Sequence, residues 1–331
     1  MKKIILLMFA FGIICNGLLA GGAKEASADS GKVMVLKAAH SMPITYHYHD
    51  GMTKFADEVN RLSNGRIKIE IFPASQLGEE VATLEQCKIG AIPIVLTGTV
   101  EQYVPKSGVF YLPFLFENSE HADKVLNGPI GKEIFADFVR HNMMVLSVWE
   151  NGFAQITNNK RPINNVDDMV GLKIRCPQSP VSMETMEAFG TIPTPMPFAE
   201  TITAIAQGLV DGQFNALLHI KSNKTYEVQK FLAVVNFTYS GAPLLVNKPW
   251  FDKLSDADKK IFYDAAATAN VYMRKVASDR NKEALIFFEQ QGLKVSYPDK
   301  SGFQQKVKPL YDGAWAEKFG KDLIEKIRSA K

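Results

Sequence analysis

The sequence is poor in cysteine, nearly balanced in charge and without a long apolar run. Three cysteines in 331 residues cannot frame a disulfide-stapled fold, and no C-x-x-C pair or Cys/His cluster offers the spacing of a structural zinc site. Lys plus Arg number 38 against 35 Asp plus Glu, a formal charge of +3. The strong positive field that draws a protein to phosphate backbones is therefore missing, and no nucleic-acid partner is expected. The main apolar run, at residues 4–14, is shorter than the roughly 20 residues a spanning helix needs. G-x-S-x-G, H-E-x-x-H, a P-loop and a G-x-G-x-x-G behind a strand are all absent, which removes the common motif-bearing hydrolase, metalloprotease and nucleotide sites. No catalytic set, metal or cofactor is expected.

What is present begins with an address. Met1-Lys2-Lys3 gives a positive start, residues 4–14 an apolar stretch, and Asn16-Gly17 a break before the small residues Ala20-Gly21-Gly22. This reads as a secretory signal peptide over 1–22, followed by a flexible tether over 23–32, with cleavage after Ala20, Gly22 or Ala28. The expected location is the periplasm. Cys15 is a poor lipidation site, because Ile14 precedes it and Leu18-Leu19 follow it where small and polar residues are wanted. Cys87 and Cys176 remain in the exported chain; a bridge is open to them, and two buried free thiols is the preferred reading.

A length prior of about 150 residues per domain gives two domains. Strand patterns at 33–39, 67–71, 91–96, 143–149, 172–176, 212–218 and 232–239 alternate with helical patterns at 52–62, 79–89, 119–126, 131–140, 181–189 and 199–207, which indicates an α/β architecture with largely parallel sheets. Between Pro249 and Gly292 there is neither glycine nor proline. Behind the N-cap signal at Ser255, about 36 residues can run helical for roughly 54 Å, whereas a domain of about 150 residues is only about 40 Å across. Such a helix would cross both domains; two separate helices within one domain is the alternative.

One cation stands at a strand end. Arg175 closes Leu172-Lys173-Ile174-Arg175-Cys176 and Pro177 stops the strand, which sets the guanidinium at the carboxyl edge of the sheet, where open α/β sheets bind ligands. Its fork of donors matches a carboxylate. Asn215 occupies a comparable strand position and can donate its amide to the same anion. Trp149, Phe153, Phe198 and Phe214 are candidates for an apolar pocket, with plain core packing the other reading. His47 and His49, two apart, would share one side of a strand, and with His40 they precede the first helix with no carboxylate at ligand spacing. Glu79-Glu80 reads as a helix N-terminus favoured by the dipole.

The sequence resembles the substrate-binding proteins of TRAP (tripartite ATP-independent periplasmic) transporters, in the broad C4-dicarboxylate-binding family. The resemblance rests on Phe72-Pro73-Ala74-Ser75-Gln76-Leu77-Gly78, Leu112-Pro113-Phe114-Leu115-Phe116, Asn127-Gly128-Pro129-Ile130-Gly131-Lys132-Glu133, Gly171-Leu172-Lys173-Ile174-Arg175, Pro195-Met196-Pro197-Phe198-Ala199-Glu200, Gly208-Leu209-Val210-Asp211-Gly212-Gln213 and Tyr226-Glu227-Val228-Gln229-Lys230, in that order. It implies a two-domain periplasmic-binding-protein-like fold with hinge strands and a long helix crossing both domains, here 33–151 plus 241–280 and 152–240 plus 281–331. The implied role is a monomeric receptor that closes on a small organic acid and passes it to an ion-driven TRAP membrane permease. The family's selectivity arginine falls on Arg175 and its ligand-contacting asparagine on Asn215. On the opposite lobe, His40, Ser41, Thr97, Thr99 and Glu101 lie at predicted strand ends and are the expected cleft residues. One departure is visible: many members carry a second arginine at or next to the position of Ala154. Burying a second carboxylate without its cation costs several kcal/mol, so a monocarboxylate with a neutral or apolar body, such as a 2-oxo or hydroxy acid, is expected. A receptor that presents its ligand to a membrane sensor, or a periplasmic enzyme that orients a carboxylate substrate with Arg175, are the competing functions.

Overall fold

Among the described residues ten runs, most of them short and apolar or alternating, become strands. They are β1 (Met34–His40), β2 (Ile67–Phe72), β3 (Ile94–Leu96), β4 (Met143–Asn158), β5 (Lys173–Cys176), β6 (Ile192–Pro195), β7 (Gly212–Ala216), β8 (Phe231–Ala233), β9 (Tyr239–Asn247) and β10 (Lys294–Ser296). The structure, a computed structural model, describes residues 33–330. The signal peptide, the tether and Cys15 lie outside the described residues.

Strand order is β2-β1-β3-β9-β4-β7-β5-β6, with β8 beside β4 and β10 beside β8. The outer pairs β1/β2, β1/β3, β5/β6, β5/β7 and β8/β10 are parallel, as the alternating pattern predicts. The centre is not: β9 runs antiparallel to β3 and β4, and β4 antiparallel to β7 and β8. The sequence pattern ends its strand at residue 149, but β4 continues for 16 residues. Its first part pairs with β9 and its last part with β7 and β8, so one strand serves both halves of the fold. The passage is eased by register shifts between Val145 and Ser147 and between Glu150 and Gly152; Gly152 has φ +116°, a conformation open to glycine at little cost. Likewise the strand expected over 212–218 stops at Ala216 and turns into a helix, Leu217–Ser222, and the one expected over 232–239 is two separate strands, β8 and the start of β9. β6, with prolines at 193 and 195, escapes the pattern altogether and survives because it is an edge strand.

Alternation on the strands divides the core. Leu36 and Ala38 of β1, Ile94 and Leu96 of β3, Trp149 of β4, and Leu244 and Val246 of β9 join one apolar cluster with the helices His47–Leu62 and Asp256–Gln290. Ala39, Val95, Val148 and Leu245 belong to a second cluster, which extends through Ile174, Cys176, Val181 and Phe189 to Phe303 and Trp315. Period-2 alternation sends neighbouring residues to opposite faces, so each face of the sheet receives its own helical layer. The long helix is single and spans 35 residues, about 53 Å at 1.5 Å per residue. Ser255 caps it by accepting the Asp258 backbone N–H at 3.1 Å, and it packs against β4, β10 and the helices His47–Leu62 and Leu217–Ser222. Among the described residues no helix is long and apolar enough to cross a membrane.

Candidate functional site

The strand end at β5 is where the site begins. Ile174 and Cys176 join the apolar cluster, so Arg175, between them, takes the other side. It is only 5% exposed. Its Nε and Nη2 both donate to the Met196 carbonyl, at 3.2 and 2.8 Å, and its guanidinium carbon stands 5.6 Å from the centre of the Phe198 ring. Burial pulls its pKa down to about 10, which leaves it charged at neutral pH. Among the described residues no carboxylate stands within 4.0 Å of it. A buried cation whose protein partner is a neutral carbonyl is costly unless an anion completes it.

The cavity beside it holds about 380 Å³, within the range of small-molecule sites. From the same side come Asn215 and Phe214 of β7, Phe198 at the start of the helix Phe198–Ala206, Gln178, Ser182 and His219. The Asn215 amide donates to Gln213 Oε1 at 2.5 Å. Facing them are Met42, Tyr48, Gly98, Thr99, Tyr111 and Glu80, the first residue of the helix Glu80–Lys88. Glu80 accepts from the Ser41 hydroxyl at 3.2 Å, from the Gly98 N–H at 3.4 Å and from the Thr99 hydroxyl, while the Tyr111 hydroxyl donates to the Gly98 carbonyl. Central strands β4 and β9 contribute Asn151, Ala154 and Ser240, with the Asn151 amide donating to Ser240 Oγ at 2.6 Å and the Tyr46 hydroxyl donating to the Asn151 side chain. Among the described residues Arg175 is the one Lys or Arg in the lining, and Ala154 sits in the wall as a methyl group.

The structure thus brings together five of the residues expected from the sequence: Arg175, Asn215, Phe198, Phe214 and Thr99. It places six elsewhere. Trp149 is fully buried in the core, so close to Gly51 that a Cβ there would meet its ring at 2.8 Å. Phe153 packs edge-on against Tyr239 at 5.2 Å and lines a different cavity. His40 pairs through Nε2 with His49 Nδ1 at 3.2 Å, Ser41 stands behind Glu80, and Thr97, with no exposure, accepts the Thr99 N–H at 3.2 Å. Glu101 accepts the Ser179 hydroxyl at 2.5 Å beside the wall. His47 and His49 open a helix rather than a strand, and His47 Nε2 contacts the Glu150 carbonyl at 2.6 Å. Cys87 and Cys176 are free and buried, their thiols pushed up to about 12 and about 11 by burial.

Sequence reasoning missed Tyr48, Tyr111, Asn151, Ser240 and His219, and read Glu80 only as a helix start. Glu80 satisfies both readings, and its position at the helix opening was the available signal; the others become neighbours only through the β4/β9 crossing. A larger cavity of about 1060 Å³ lies around Glu150, Phe153 and Arg274. There Arg274 is neutralised by Glu150 at 3.2 Å and Asp123 at 3.5 Å, so it lacks the uncompensated charge that marks the smaller site.

The model of the family described as bacterial extracellular solute-binding protein, family 7, matches residues 38–318. A TRAP periplasmic solute-binding protein from Polaromonas sp. JS666, solved bound to D-erythronate, is 38% identical with TM-score 0.87 over 90% of this chain and 99% of its own. One from Bordetella bronchispeptica, with density assigned as pantoate, is 34% identical with TM-score 0.87 over 90% and 99%. One from Sulfurospirillum deleyianum DSM 6946, with bound succinate, is 28% identical with TM-score 0.85 over 90% and 99%.

Proposed function

We propose, on the premise that this chain belongs to bacterial extracellular solute-binding protein family 7, that it captures a small monocarboxylate bearing hydroxyl groups and delivers it to an ion-driven TRAP membrane permease. The family consists of binding proteins of the TRAP type, not enzymes, and works outside the cytoplasm. The observation that carries the reading is Arg175, buried, charged and without a carboxylate partner at the wall of a 380 Å³ cavity. A ligand carboxylate supplies the missing anion through two charge-assisted bonds, and exclusion of water strengthens them.

One carboxylate rather than two is supported by the lining. Ala154 contributes no charge, Arg175 is the sole Lys or Arg there, and Glu79, Glu80 and Glu200 supply negative charge, so a second carboxylate would be desolvated without a cation. Two of the neighbours above hold hydroxy monocarboxylates, although a third holds succinate. Hydroxyls on the ligand suit the polar wall around Glu80. Capture then proceeds by closure of 33–151 plus 241–280 on 152–240 plus 281–331, the chain bending where β4 shifts register at Glu150 to Gly152.

Thermal melting of the ligand-free protein against D-erythronate, pantoate, succinate, neutral sugars and amino acids tests this. At about 100 times its dissociation constant a ligand adds roughly 2.7 kcal/mol, a shift of several degrees. Stabilisation by the hydroxy monocarboxylates and none by succinate is expected. Stabilisation by neutral sugars alone would overturn the reading.

A further inference from the structure

His219 is a polar side chain of the cavity to which no other side chain or backbone group among the described residues bonds. It lies three residues into the helix Leu217–Ser222, which leaves the end of β7 two residues after Asn215. The residue is 5% exposed, lines the cavity and makes no side-chain hydrogen bond among the described residues; its Nδ1 is sealed from solvent without a partner. Its ring is fixed edge-on to Phe198 at 4.3 Å and to Tyr46 at 5.7 Å. Phe198 is also the ring over which the Arg175 guanidinium stands, at 5.6 Å, so imidazole and guanidinium converge on one aromatic plane. Burial, then the nearby charge of Arg175, lower the His219 pKa to about 3. The ring is therefore neutral, with one nitrogen to donate and one to accept.

A buried imidazole with no hydrogen bond is destabilising. Only Nδ1 is sealed, so the nitrogen an occupant of the cavity can reach is Nε2. A neutral ring brings no charge to offset a second carboxylate, whereas it can meet a hydroxyl as donor or as acceptor. We propose that His219 is a specificity-determining residue, hydrogen-bonding a hydroxyl on the ligand carbon next to the carboxylate that Arg175 holds, so that the preferred ligands are 2-hydroxy acids. This rests on the monocarboxylate reading above and adds to it the position of the hydroxyl and the residue that reads it. A site built to bond a hydroxyl rejects the analogue that lacks it, because its own polar group is then left unpaired.

The test is calorimetric titration of the protein with D-erythronate and with 3,4-dihydroxybutanoate, which differs only in lacking the 2-hydroxyl. The wild type is expected to prefer D-erythronate by about tenfold or more, the equivalent of one hydrogen bond. His219→Phe, which keeps a ring against Phe198, should weaken D-erythronate by about tenfold, leave 3,4-dihydroxybutanoate within roughly twofold and so abolish the preference. His219→Gln, which restores a donor and an acceptor, should recover part of it and also serves if the phenylalanine variant does not fold. Equal weakening of both ligands in both variants would mean a structural role and overturn the proposal, as would a preference that survives them. Wild-type protein that binds neither acid, nor any other carboxylate, would instead overturn the underlying reading.

Discussion

The two walls of the cavity solve opposite problems. On the Glu80 wall the polar groups are already matched: Glu80 takes the Ser41 and Thr99 hydroxyls and the Gly98 N–H, and Tyr111 bonds the Gly98 carbonyl. On the Arg175 wall they are not. Among the described residues, Arg175 has one carbonyl for its charge, the His219 side chain has no hydrogen bond, and the Asn215 side chain is held by Gln213 alone. The first wall is preorganised in shape before any ligand arrives, while the second holds polar capacity that a ligand must complete. Affinity should therefore reside mainly in the Arg175 wall and fold stability in the Glu80 wall.

The sharpest way to break this comparison is Arg175→Ala. Loss of one partner of a buried charge pair costs about 3–5 kcal/mol, so carboxylate binding measured by calorimetry should fall by two orders of magnitude or more, with the unliganded melting temperature nearly unchanged. The mirror experiment is Glu80→Ala, which strands two hydroxyls and an N–H. It should lower unfolding stability in urea by about 2 kcal/mol; a variant as stable as the wild type would show that the Glu80 wall is not internally matched.

Two smaller effects sharpen the contrast. Ala154→Arg places a second cation in the wall and should move succinate against D-erythronate by about tenfold in relative affinity, roughly 1.4 kcal/mol, as read by competition. The acid response separates the walls differently. Burial lowers the pKa values of His40, His47 and His219 to about 3, 4 and 3, below the unfolded value near 6.5. Below pH 6.5 the unfolded state binds these protons first, so the stability that the neutral rings contribute is fully present above that pH and is lost as the pH falls toward their folded values. Each group contributes a slope of about 1.4 kcal/mol per pH unit at most. His219→Phe should flatten the curve by one such contribution; an unchanged slope between pH 6.5 and 4.5 would contradict the burial of a neutral ring on the ligand-completed wall.

The same contrast explains what the sequence made legible. The Arg175 wall is built from strand ends and their flanks, so Arg175 and Asn215 could be set near the carboxyl ends of their strands from pattern, and the family resemblance gave them their expected role. The long helix was legible as one of two readings, since 35 residues without glycine or proline behind a serine cap allow a single helix or a separate pair, and it is single. The Glu80 wall is a network of loop residues distant in sequence, Ser41, Glu80, Gly98 and Thr99, which no period connects. β4 was read at half its length because Asn151-Gly152 resembles a turn, whereas paired strands on both sides hold the glycine in an extended ribbon with a bulge. Trp149 took the core reading that was open to it and Phe153 went to a neighbouring cavity, on a strand where, beyond a bulge, the alternation of faces no longer follows residue parity. His219 carried no signal, because it falls just past a strand expected to run to residue 218, where the chain has already turned into a helix.

The most direct test of the account is a crystal structure of the protein with D-erythronate bound. The account predicts the ligand carboxylate against the Arg175 guanidinium, with two N–H donors within about 2.7–2.9 Å of its oxygens. A carboxylate seated elsewhere, with Arg175 still bonded only to the Met196 carbonyl, would contradict it.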